Sequence, residues 1–358
     1  MTRILLDGRV YGATPGGGIA RYFTELAAWF REHPADEEFF IALPDTAPYR
    51  LEQKLGMKAL PRRMYGCGWA WRLLRPAVFH STYYTHPDLK CPQVATVYDF
   101  VDARLPGFCP NGPPFVKRQL DSIRKADAVV AISESTKKDA ATWSGIPEDR
   151  ILVAYPGLSP VFARNPPSRE EVGKFRAGLA GGFPYFLHVG NRGGYKNFTL
   201  LLEAFCVAAR DSDMHLVLSG GERRLSPEEL ALLIRHRMAD RVHLAGQLDD
   251  GSLRLAYAGA EAMLSASLAE GFGIPIIECL ACGGRVLLSA IPVYQEVAGA
   301  AARYADPYEL DDWVETIRSA VRAPLGADDN ARTNIVEKFQ TAKAGQMYRN
   351  LYRKLLAQ

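Results

Sequence analysis

Residues 261–282 read EAMLSASLAEGFGIPIIECLAC and decide how the rest of the chain is interpreted. The short apolar run 261–267 predicts a buried strand, and 276–282 predicts the first turns of a helix. Pro275 suits the first helical position, where a missing N–H costs nothing. A strand, a glycine-containing turn and a helix therefore follow one another, which is typical of an α/β sheet.

The turn between this strand and helix has the chemistry of a ligand site. Gly271 and Gly273 allow the backbone to approach a ligand closely. The N-terminus of the following helix favours an anion. Glu270 in the loop and Glu278 one turn into the helix can each accept hydrogen bonds from a pair of sugar hydroxyls. The turn therefore suits a nucleotide-diphosphate sugar, although an ordinary turn with one solvated and one capping Glu is the alternative.

The spacing of the two carboxylates also resembles a known motif. Glu270 to Glu278 resembles the E-x7-E motif of the retaining glycosyltransferases of family 4, which have the GT-B fold. The resemblance implies that Glu270 and the backbone after it hold the donor sugar, and that Glu278 binds the nucleotide ribose. The donor-binding residues that it implies in this turn are Gly271, Phe272, Gly273, Ile274 and Glu278.

Length and composition indicate a globular protein of two domains. The chain has 358 residues, and its formal net charge of +3 is too small to indicate a nucleic-acid partner. Six scattered cysteines fit a reducing compartment. The lone pair Cys279 and Cys282 lacks the further ligands of a zinc site. With no signal peptide and no apolar run of transmembrane length, we expect a cytoplasmic protein.

A glycine-rich loop follows the first predicted strand. The strand spans 3–7, the loop 12–18, and residues 19–30 have helical spacing. This order forms a phosphate cradle, but Arg21 stands where a dinucleotide fingerprint needs its last glycine. The family resemblance places Gly17 and Gly18 in the cleft between donor and acceptor. A flexible turn is the alternative.

The stretch 50–75 is strongly basic. It contains seven Lys and Arg residues and one Glu, together with Trp69 and Trp71. Basic residues with interfacial Trp suit an anionic membrane surface, which would place the protein at the inner membrane face. A solvated basic face with two buried Trp explains the composition equally well.

Two further predicted strands end in polar residues that are candidates for a site. Ligands of such sheets bind at the carboxyl ends of strands, which makes His80, Tyr98 and Asp99 candidates. The segment before Asp99 resembles the Thr-Val-His-Asp segment of family 4, in which the His lies beside the transferred sugar. Here Tyr98 replaces that His, so a hydroxyl hydrogen bond takes the place of a titrating imidazole. For His80, a histidine satisfied at a strand end is the alternative.

The second half of the chain repeats the pattern of strand, loop and helix. The strand 185–190 leads to a loop that carries Arg192 and Lys196. Two cations at the ligand-facing end of a strand can neutralise a diphosphate as it leaves. In the family, a Lys and an Arg of this loop bind the diphosphate. Lys196 matches that pattern more closely than Arg192, which stands one residue later in the loop than the Arg of many family members.

Prolines near the middle of the chain mark a linker. Pro160, Pro166 and Pro167 predict a boundary between a first domain over 1–166 and a second over 167–339. The family resemblance implies that the first binds the acceptor and the second the donor. A last helix is expected over 330–356, and the resemblance to GT-B folds implies that it packs back on the first domain through 340–358. The Asp-Ser-Asp sequence at 211–213 precedes a strand, on the wrong edge of the sheet for a metal site, so we predict no metal. We also predict no cofactor.

The pattern as a whole predicts two doubly wound, Rossmann-like α/β domains with a cleft between them. The resemblance implies transfer of a hexose from a GDP- or UDP-linked donor, mannose-like, to a glycan or lipid-linked hydroxyl, in bacterial surface polysaccharide synthesis. Retention at the anomeric carbon follows from the same resemblance. A nucleotide-sugar epimerase and a non-catalytic nucleotide-sugar-binding protein remain the alternatives.

Overall fold

The structure, a computed structural model, describes residues 2–13, 16–48, 51–65, 68–108, 112–323 and 329–357. The chain forms two compact units, the first comprising Met1–Gly157 with Phe339–Gln358 and the second Leu158–Lys338. The boundary between the two units therefore lies after Gly157, and not after residue 166 as the prolines predicted. The reason is that Phe162 is fully buried against the ring of Tyr257, 6.1 Å between centroids, within the second unit.

Each unit contains one sheet of parallel strands. The first sheet consists of β1 (Thr2–Leu6), β2 (Glu37–Ala42), β3 (Lys58–Leu60), β4 (Val78–Ser81), β5 (Gln93–Val97), β6 (Ala128–Ala131) and β7 (Ile151–Val153). The second consists of β8 (Tyr185–Val189), β9 (His215–Ser219), β10 (Val242–Gly246), β11 (Ala262–Ser265), β12 (Val286–Ser289) and β13 (Ala302–Ala305). Their spatial orders are β3-β2-β1-β4-β5-β6-β7 and β10-β9-β8-β11-β12-β13.

Helices connect these strands. Those of the first half are α1 (Val10–Ala13), α2 (Gly18–Glu32), α3 (Leu51–Leu55), α4 (Gly68–Leu74), α5 (Val101–Arg104), α6 (Gly112–Lys125) and α7 (Glu134–Ser144). Next come α8 (Pro160–Ala163), α9 (Arg169–Ala180), α10 (Phe198–Ala208), α11 (Pro227–His236), α12 (Asp250–Gly259) and α13 (Ile274–Ala281). The last are α14 (Pro292–Ala298), α15 (Leu310–Arg322), α16 (Asp329–Lys338) and α17 (Thr341–Leu356). Short 3-10 turns cover Arg62–Met64, Pro106–Phe108, Glu148–Arg150, Gly194–Lys196, Ala239–Arg241 and Gly299–Ala301.

Both sheets have the doubly wound order that the sequence predicted. The central strands are apolar, as a sheet covered on both faces requires, and Leu5 of β1 and Leu187 of β8 are fully buried. In each sheet the order reverses beside the first strand, because β1 lies between β2 and β4, and β8 between β9 and β11. Ligands of such sheets bind at the carboxyl ends of strands at this reversal. We therefore expect ligand sites at the loops after β1 and β4 in the first unit, and after β8 and β11 in the second.

The last helix differs from its prediction. Instead of one helix over 330–356, α16 and α17 are separate, and Gln340 between them has an extended backbone with φ −70° and ψ 130°. Phe339, at the junction of the two helices, is fully buried. Its ring packs edge-on against the ring of Tyr155, with 5.5 Å between the centroids. The loop 12–18 also differs, since α1 reaches Ala13; Thr14 and Pro15 lie outside the described residues.

Helix α17 is docked on the first unit by close packing and by a buried ion pair. A Cβ placed on Gly345 would lie 2.1 Å from Cε3 of Trp29, so only glycine fits against this ring. Arg349 donates from Nε to Oε1 of Glu37 at 3.1 Å, and its guanidinium lies 4.8 Å from the centre of the Trp29 ring. The two charged side chains are 10% and 4% exposed, so the pair is inside the protein.

A buried hydroxyl network around His80 also holds this helix. The Nδ1 atom of His80 lies 2.7 Å from the hydroxyl of Tyr352, and Nε2 lies 2.8 Å from Oγ1 of Thr96. Oγ1 of Thr96 in turn lies 2.8 Å from the hydroxyl of Tyr348. His80 has no exposed surface. The catalytic role predicted for His80 therefore gives way to a structural one, since both ring nitrogens are occupied inside the core.

We expect His80 to make the first unit sensitive to acid. Burial lowers the pKa of His80 to about 3, from 6.5. Between these values the unfolded chain binds a proton that the folded chain does not, so stability is full above pH 6.5 and falls as the pH drops towards 3. Between pH 7 and pH 5, the free energy of unfolding should therefore fall by about 2 kcal/mol more in the wild type than in His80→Gln.

Urea unfolding followed by tryptophan fluorescence measures this difference, because Trp29, Trp69, Trp71 and Trp143 belong to the first unit and Trp313 alone to the second. An identical loss of stability in both proteins over this range would contradict the assignment.

Candidate active site

Lys196 and Glu270 meet at the reversal point of the second sheet. Lys196 ends the 3-10 turn after β8, and Glu270 lies in the loop after the neighbouring strand β11. The Nζ atom of Lys196 donates to Oε1 of Glu270 at 2.6 Å, with 23% and 14% of the two side chains exposed. Burial alone would lower the pKa of Lys196, but the Glu270 carboxylate raises it above its usual value. A fixed positive charge therefore stands beside a fixed carboxylate at this edge.

Two hydroxyls that the sequence did not reveal orient the same carboxylate. Oγ of Ser267 donates to Oε1 of Glu270 at 2.8 Å, and the hydroxyl of Tyr294 donates to the same atom at 3.4 Å. Tyr294 is 2% exposed and also lies 2.7 Å from Oγ of Ser265. Burial, reinforced by Glu270, raises the pKa of Tyr294. The sequence signal that could have indicated Tyr294 is its position after β12, at the carboxyl edge of the sheet beside β11.

The turn from Gly271 to Ile274 leads from this carboxylate into helix α13. Phe272 is 3% exposed and anchors the turn in the core. Gly273 has φ +98°, and a Cβ there would lie 2.8 Å from Cδ1 of Ile276 and 3.0 Å from Cε1 of Tyr294. Ile274 begins the helix and Pro275 stands one position later than predicted. The positive end of the helix dipole therefore lies next to Glu270.

Glu278 lies deeper than its predicted role suggests. It is 2% exposed, and Oε2 accepts a hydrogen bond from the hydroxyl of Tyr257 at 3.0 Å. Tyr257 is fully buried, and burial with the nearby Glu278 charge raises its pKa. The Glu278 carboxylate is therefore held in the second turn of α13, the helix that follows the Gly271–Gly273 turn.

Arg192 does not join Lys196. Its Nε donates to Oε1 of Glu229 at 2.9 Å, and its other nitrogens donate to the carbonyl oxygens of Glu222 at 3.0 Å and Arg224 at 2.6 Å. The side chain is 5% exposed. Each of the three guanidinium nitrogens therefore donates within the second unit and fixes the loop 222–224 to α11. The diphosphate-binding role predicted for Arg192 is replaced by a structural one.

The candidates of the first unit are placed differently from those of the second. Tyr98 is 1% exposed and donates its hydroxyl hydrogen bond to the carbonyl of Thr82 at 2.6 Å, so it is a core residue and not the site hydroxyl that was predicted. Gly17 precedes α2 with extended backbone, and Gly18 is the exposed first residue of that helix. These two glycines belong to the first unit, whereas Lys196 and Glu270 belong to the second.

In the described ranges, no group of three His, Cys, Asp or Glu side chains is arranged to hold a metal ion. Charge at the candidate site is instead supplied by Lys196 and Glu270 themselves.

Two family models match the chain, one for each unit. The model for Glycosyltransferase Family 4 matches residues 16–162, and the model for Glycosyl transferases group 1 matches residues 170–340. Together they span most of the sequence. The chain belongs to glycosyltransferase family 4. The family predicted from the sequence is thereby confirmed.

The chain is also similar to several named proteins and solved structures. The O-antigen chain mannosyltransferase B of Escherichia coli is 26% identical over 257 residues, which are 70% of this chain and 66% of that protein. The O-antigen chain mannosyltransferase RfbU of Salmonella typhimurium is 24% identical over 68% of this chain and 65% of its own length. The structure of Alr3699/HepE from Anabaena with UDP and glucose has a TM-score of 0.78 at 15% identity, covering 99% of this chain and all of that one. This last likeness supports the GT-B fold.

None of the helices in the described ranges combines the length and the apolar character that a membrane crossing requires.

Proposed function

We propose that this family 4 chain transfers a hexose from a nucleotide-diphosphate sugar to a hydroxyl of an acceptor. The observation that carries the proposal is the Lys196–Glu270 pair at the carboxyl ends of β8 and β11, next to the N-terminus of α13. A cation and a helix dipole at one point suit a departing diphosphate. A carboxylate beside them suits the hydroxyls of the attached sugar.

Each reacting group has a proposed partner. The bond from the anomeric carbon to the diphosphate breaks, and the acceptor oxygen bonds to that carbon on the same face, which retains its configuration. The acceptor proton passes to the departing diphosphate. Lys196 stabilises the charge that develops on the diphosphate, so this role needs no metal ion. Glu270, oriented by Ser267 and Tyr294, holds the sugar.

The substrates follow from chemistry and from the relatives. We propose a mannose-like hexose, because two of the similar proteins are named as O-antigen mannosyltransferases. The donor is a GDP- or UDP-hexose, and the Anabaena neighbour was crystallised with UDP and glucose. The acceptor is a glycan or lipid-linked hydroxyl of a bacterial surface polysaccharide, bound by the first unit.

Release of nucleoside diphosphate tests this proposal. The protein should release GDP or UDP when a matching donor and a hydroxyl acceptor are both present. Tight donor binding without release would favour a non-catalytic nucleotide-sugar-binding protein. Conversion of the donor in the absence of any acceptor would favour an epimerase.

We further propose that Glu278 binds the ribose of the nucleotide. Each hydrogen bond from a ribose hydroxyl to a carboxylate contributes roughly 1.5–3 kcal/mol, so Glu278→Gln should weaken binding of the free nucleoside diphosphate about tenfold or more. Calorimetry measures this affinity. Tyr257→Phe is the matched control, because it removes the hydrogen bond to Glu278 and leaves the carboxylate in place. Unchanged nucleotide affinity in Glu278→Gln would contradict the ribose-binding role and leave Glu278 with a structural one.

Peripheral contact with an anionic membrane is proposed for helix α4. Trp71 is 3% exposed and stacks on Phe79 with 5.6 Å between ring centroids, so it is a core residue. Trp69 and Leu73, one turn apart, are 56% and 72% exposed. An exposed apolar face within a basic segment suits a lipid surface. Of the basic residues in 50–75, Arg50 lies outside the described residues, as do the side chains of Lys54 and Arg63.

Vesicle sedimentation tests this contact. The wild type should sediment with vesicles that contain phosphatidylglycerol and should stay in solution at high salt, because salt screens exposed charges. The double variant Trp69→Ala, Leu73→Ala should lose most of this binding. Trp143→Ala is the matched control, because Trp143 is 39% exposed on a different helix. Equal binding to neutral vesicles would contradict an electrostatic contact.

A further inference from the structure

Helix α11 of the second unit has an apolar side that faces away from the core. Its inner side is anchored by Leu233, which is fully buried. The opposite side carries Leu230 and Ile234, one turn apart, which are 45% and 62% exposed. At about 3.6 residues per turn, Pro227 and Ala231, both exposed, lie on this same side. A surface helix normally has polar residues there, so the outward side of α11 has the composition of an interface.

A further exposed leucine lies on the same side of the sheet. Leu244 of β10 pairs with Leu218 of β9, and paired residues of neighbouring parallel strands share a face. Leu218 belongs to the buried cluster that contains Leu232 and Leu233 of α11, so Leu244 lies on the face on which this helix packs. Leu244 is 40% exposed, and β10 is the edge strand of the second sheet. Exposed apolar faces with a polar rim mark interaction surfaces, and proteins commonly cover their strand edges.

The charges beside this apolar side are separated by sign. Glu228 lies in the first turn of α11 and Arg235 in the last, seven positions or about two turns later, so both lie on one flank of the helix. Both side chains are exposed. Oγ of Ser226 donates to Oε2 of Glu228 at 2.8 Å, which holds the carboxylate at the N-terminal end. The guanidinium of Arg235 has no partner within the described part of the chain.

We propose that this side of α11, formed by Pro227, Leu230, Ala231 and Ile234 with Leu244 nearby, pairs with the same surface of a second copy of the chain. A two-fold axis near Ala231 makes the two α11 helices antiparallel. Ile234 of one copy then lies between Pro227 and Leu230 of the other. The small side chain of Ala231 lies near the axis, where it allows the two helices to approach closely.

The same symmetry pairs the charges, which favours a second copy over other partners. A two-fold axis reverses the direction of the helix and keeps its flank, so Glu228 of each copy meets Arg235 of the other. Two identical ion pairs then lie at the rim of the interface. An anionic lipid surface would attract Arg235 but would repel Glu228.

The size of the surface indicates a reversible dimer. Helix α11 has 10 residues and is therefore about 15 Å long. Interfaces of this small size belong to the weak class, for which we expect a dissociation constant of roughly 1–100 μM. Monomer and dimer should therefore interconvert as the protein is diluted through this range.

Sedimentation velocity of the whole protein at concentrations above and below that range measures this association. Ile234→Glu should raise the dissociation constant about a hundredfold or more, because the symmetry places the new charge in the interface twice. Tyr308→Glu is the matched control, since Tyr308 is 66% exposed in the second unit, outside α11, and its replacement should leave association unchanged. Circular dichroism verifies that both variants are folded.

A charge exchange tests the antiparallel arrangement itself. Arg235→Glu places two glutamates opposite each other and should weaken association about tenfold. Adding Glu228→Arg to the same chain restores opposite charges and should recover most of the association. Exposed positions are used throughout, so the fold of the second unit should be retained.

Four results would overturn the proposal. They are a wild type that stays monomeric at every concentration, a dimer that Ile234→Glu leaves unchanged, a dimer that Arg235→Glu leaves unchanged, and no recovery in the charge-exchanged protein. Binding of a monomeric wild type to phosphatidylglycerol vesicles, lost in Ile234→Glu, would assign this surface to lipid instead.

Discussion

Replacing Lys196 by alanine is expected to lower turnover by roughly 10²–10³-fold and to weaken donor binding far less. A diphosphate gains negative charge only as its bond to the sugar breaks. A cation fixed beside it therefore stabilises the transition state more than the bound donor. Lys196 is fixed in this sense, because its ammonium group is held 2.6 Å from Glu270 and its pKa is raised.

The measurement compares nucleoside diphosphate release with donor affinity in each variant. Glu270→Ala should also reduce turnover, since it removes both the contact to the sugar and the group that orients Lys196. Lys174→Ala is the matched control, because Lys174 is an exposed lysine of the same unit paired with Glu170. Wild-type turnover in Lys196→Ala would refute the leaving-group role and would leave the transferase proposal itself intact.

The largest effect on stability is expected from Gly345→Ala. The added methyl group would lie 2.1–2.7 Å from three atoms of the Trp29 ring, and a fused ring inside a packed core has no room to move. Overpacking of this kind costs about 1–3 kcal/mol or more. We expect a lower midpoint of thermal unfolding by circular dichroism, and earlier proteolytic cleavage between α16 and α17, because the misfit displaces α17.

Gly173→Ala is the opposite control. Gly173 lies within helix α9, and nothing stands within 4 Å of the position that its Cβ would occupy. Alanine is favoured over glycine inside a helix by about 0.5–1 kcal/mol, so this variant should gain stability. A Gly345→Ala protein that also gained stability would show that α17 does not press on Trp29.

The sequence predicted those features that depend on short-range pattern. Apolar runs predicted strands over 3–7, 185–190 and 261–267, where β1, β8 and β11 are observed. Helical spacing over 19–30 predicted α2 close to its observed bounds. Lys196 and Glu270 were also expected at one donor site, because each follows a predicted strand and the family resemblance assigns both to the nucleotide-diphosphate sugar.

The remainder depends on contacts between distant residues. Arg192 looked like a free cation because Glu229, its partner, is 37 residues away. His80 looked like a strand-end ligand because Tyr352, 272 residues later, could not be foreseen beside it. Tyr294 was missed because its place after β12 does not by itself indicate a contact with Glu270, 24 residues earlier. Such pairings are fixed by tertiary packing and not by periodicity.

The return of α17 to the first unit has a consequence for the order of synthesis. Residues 158–338 are contiguous, so the second unit is complete once they have left the ribosome. The first unit must wait for residues 341–356, because Tyr348 and Tyr352 fill its interior. Until then the half that is made first exposes the apolar surfaces around Trp29 and His80. The N-terminal half is thus the last to finish folding, and it is the half that needs protection from aggregation during translation.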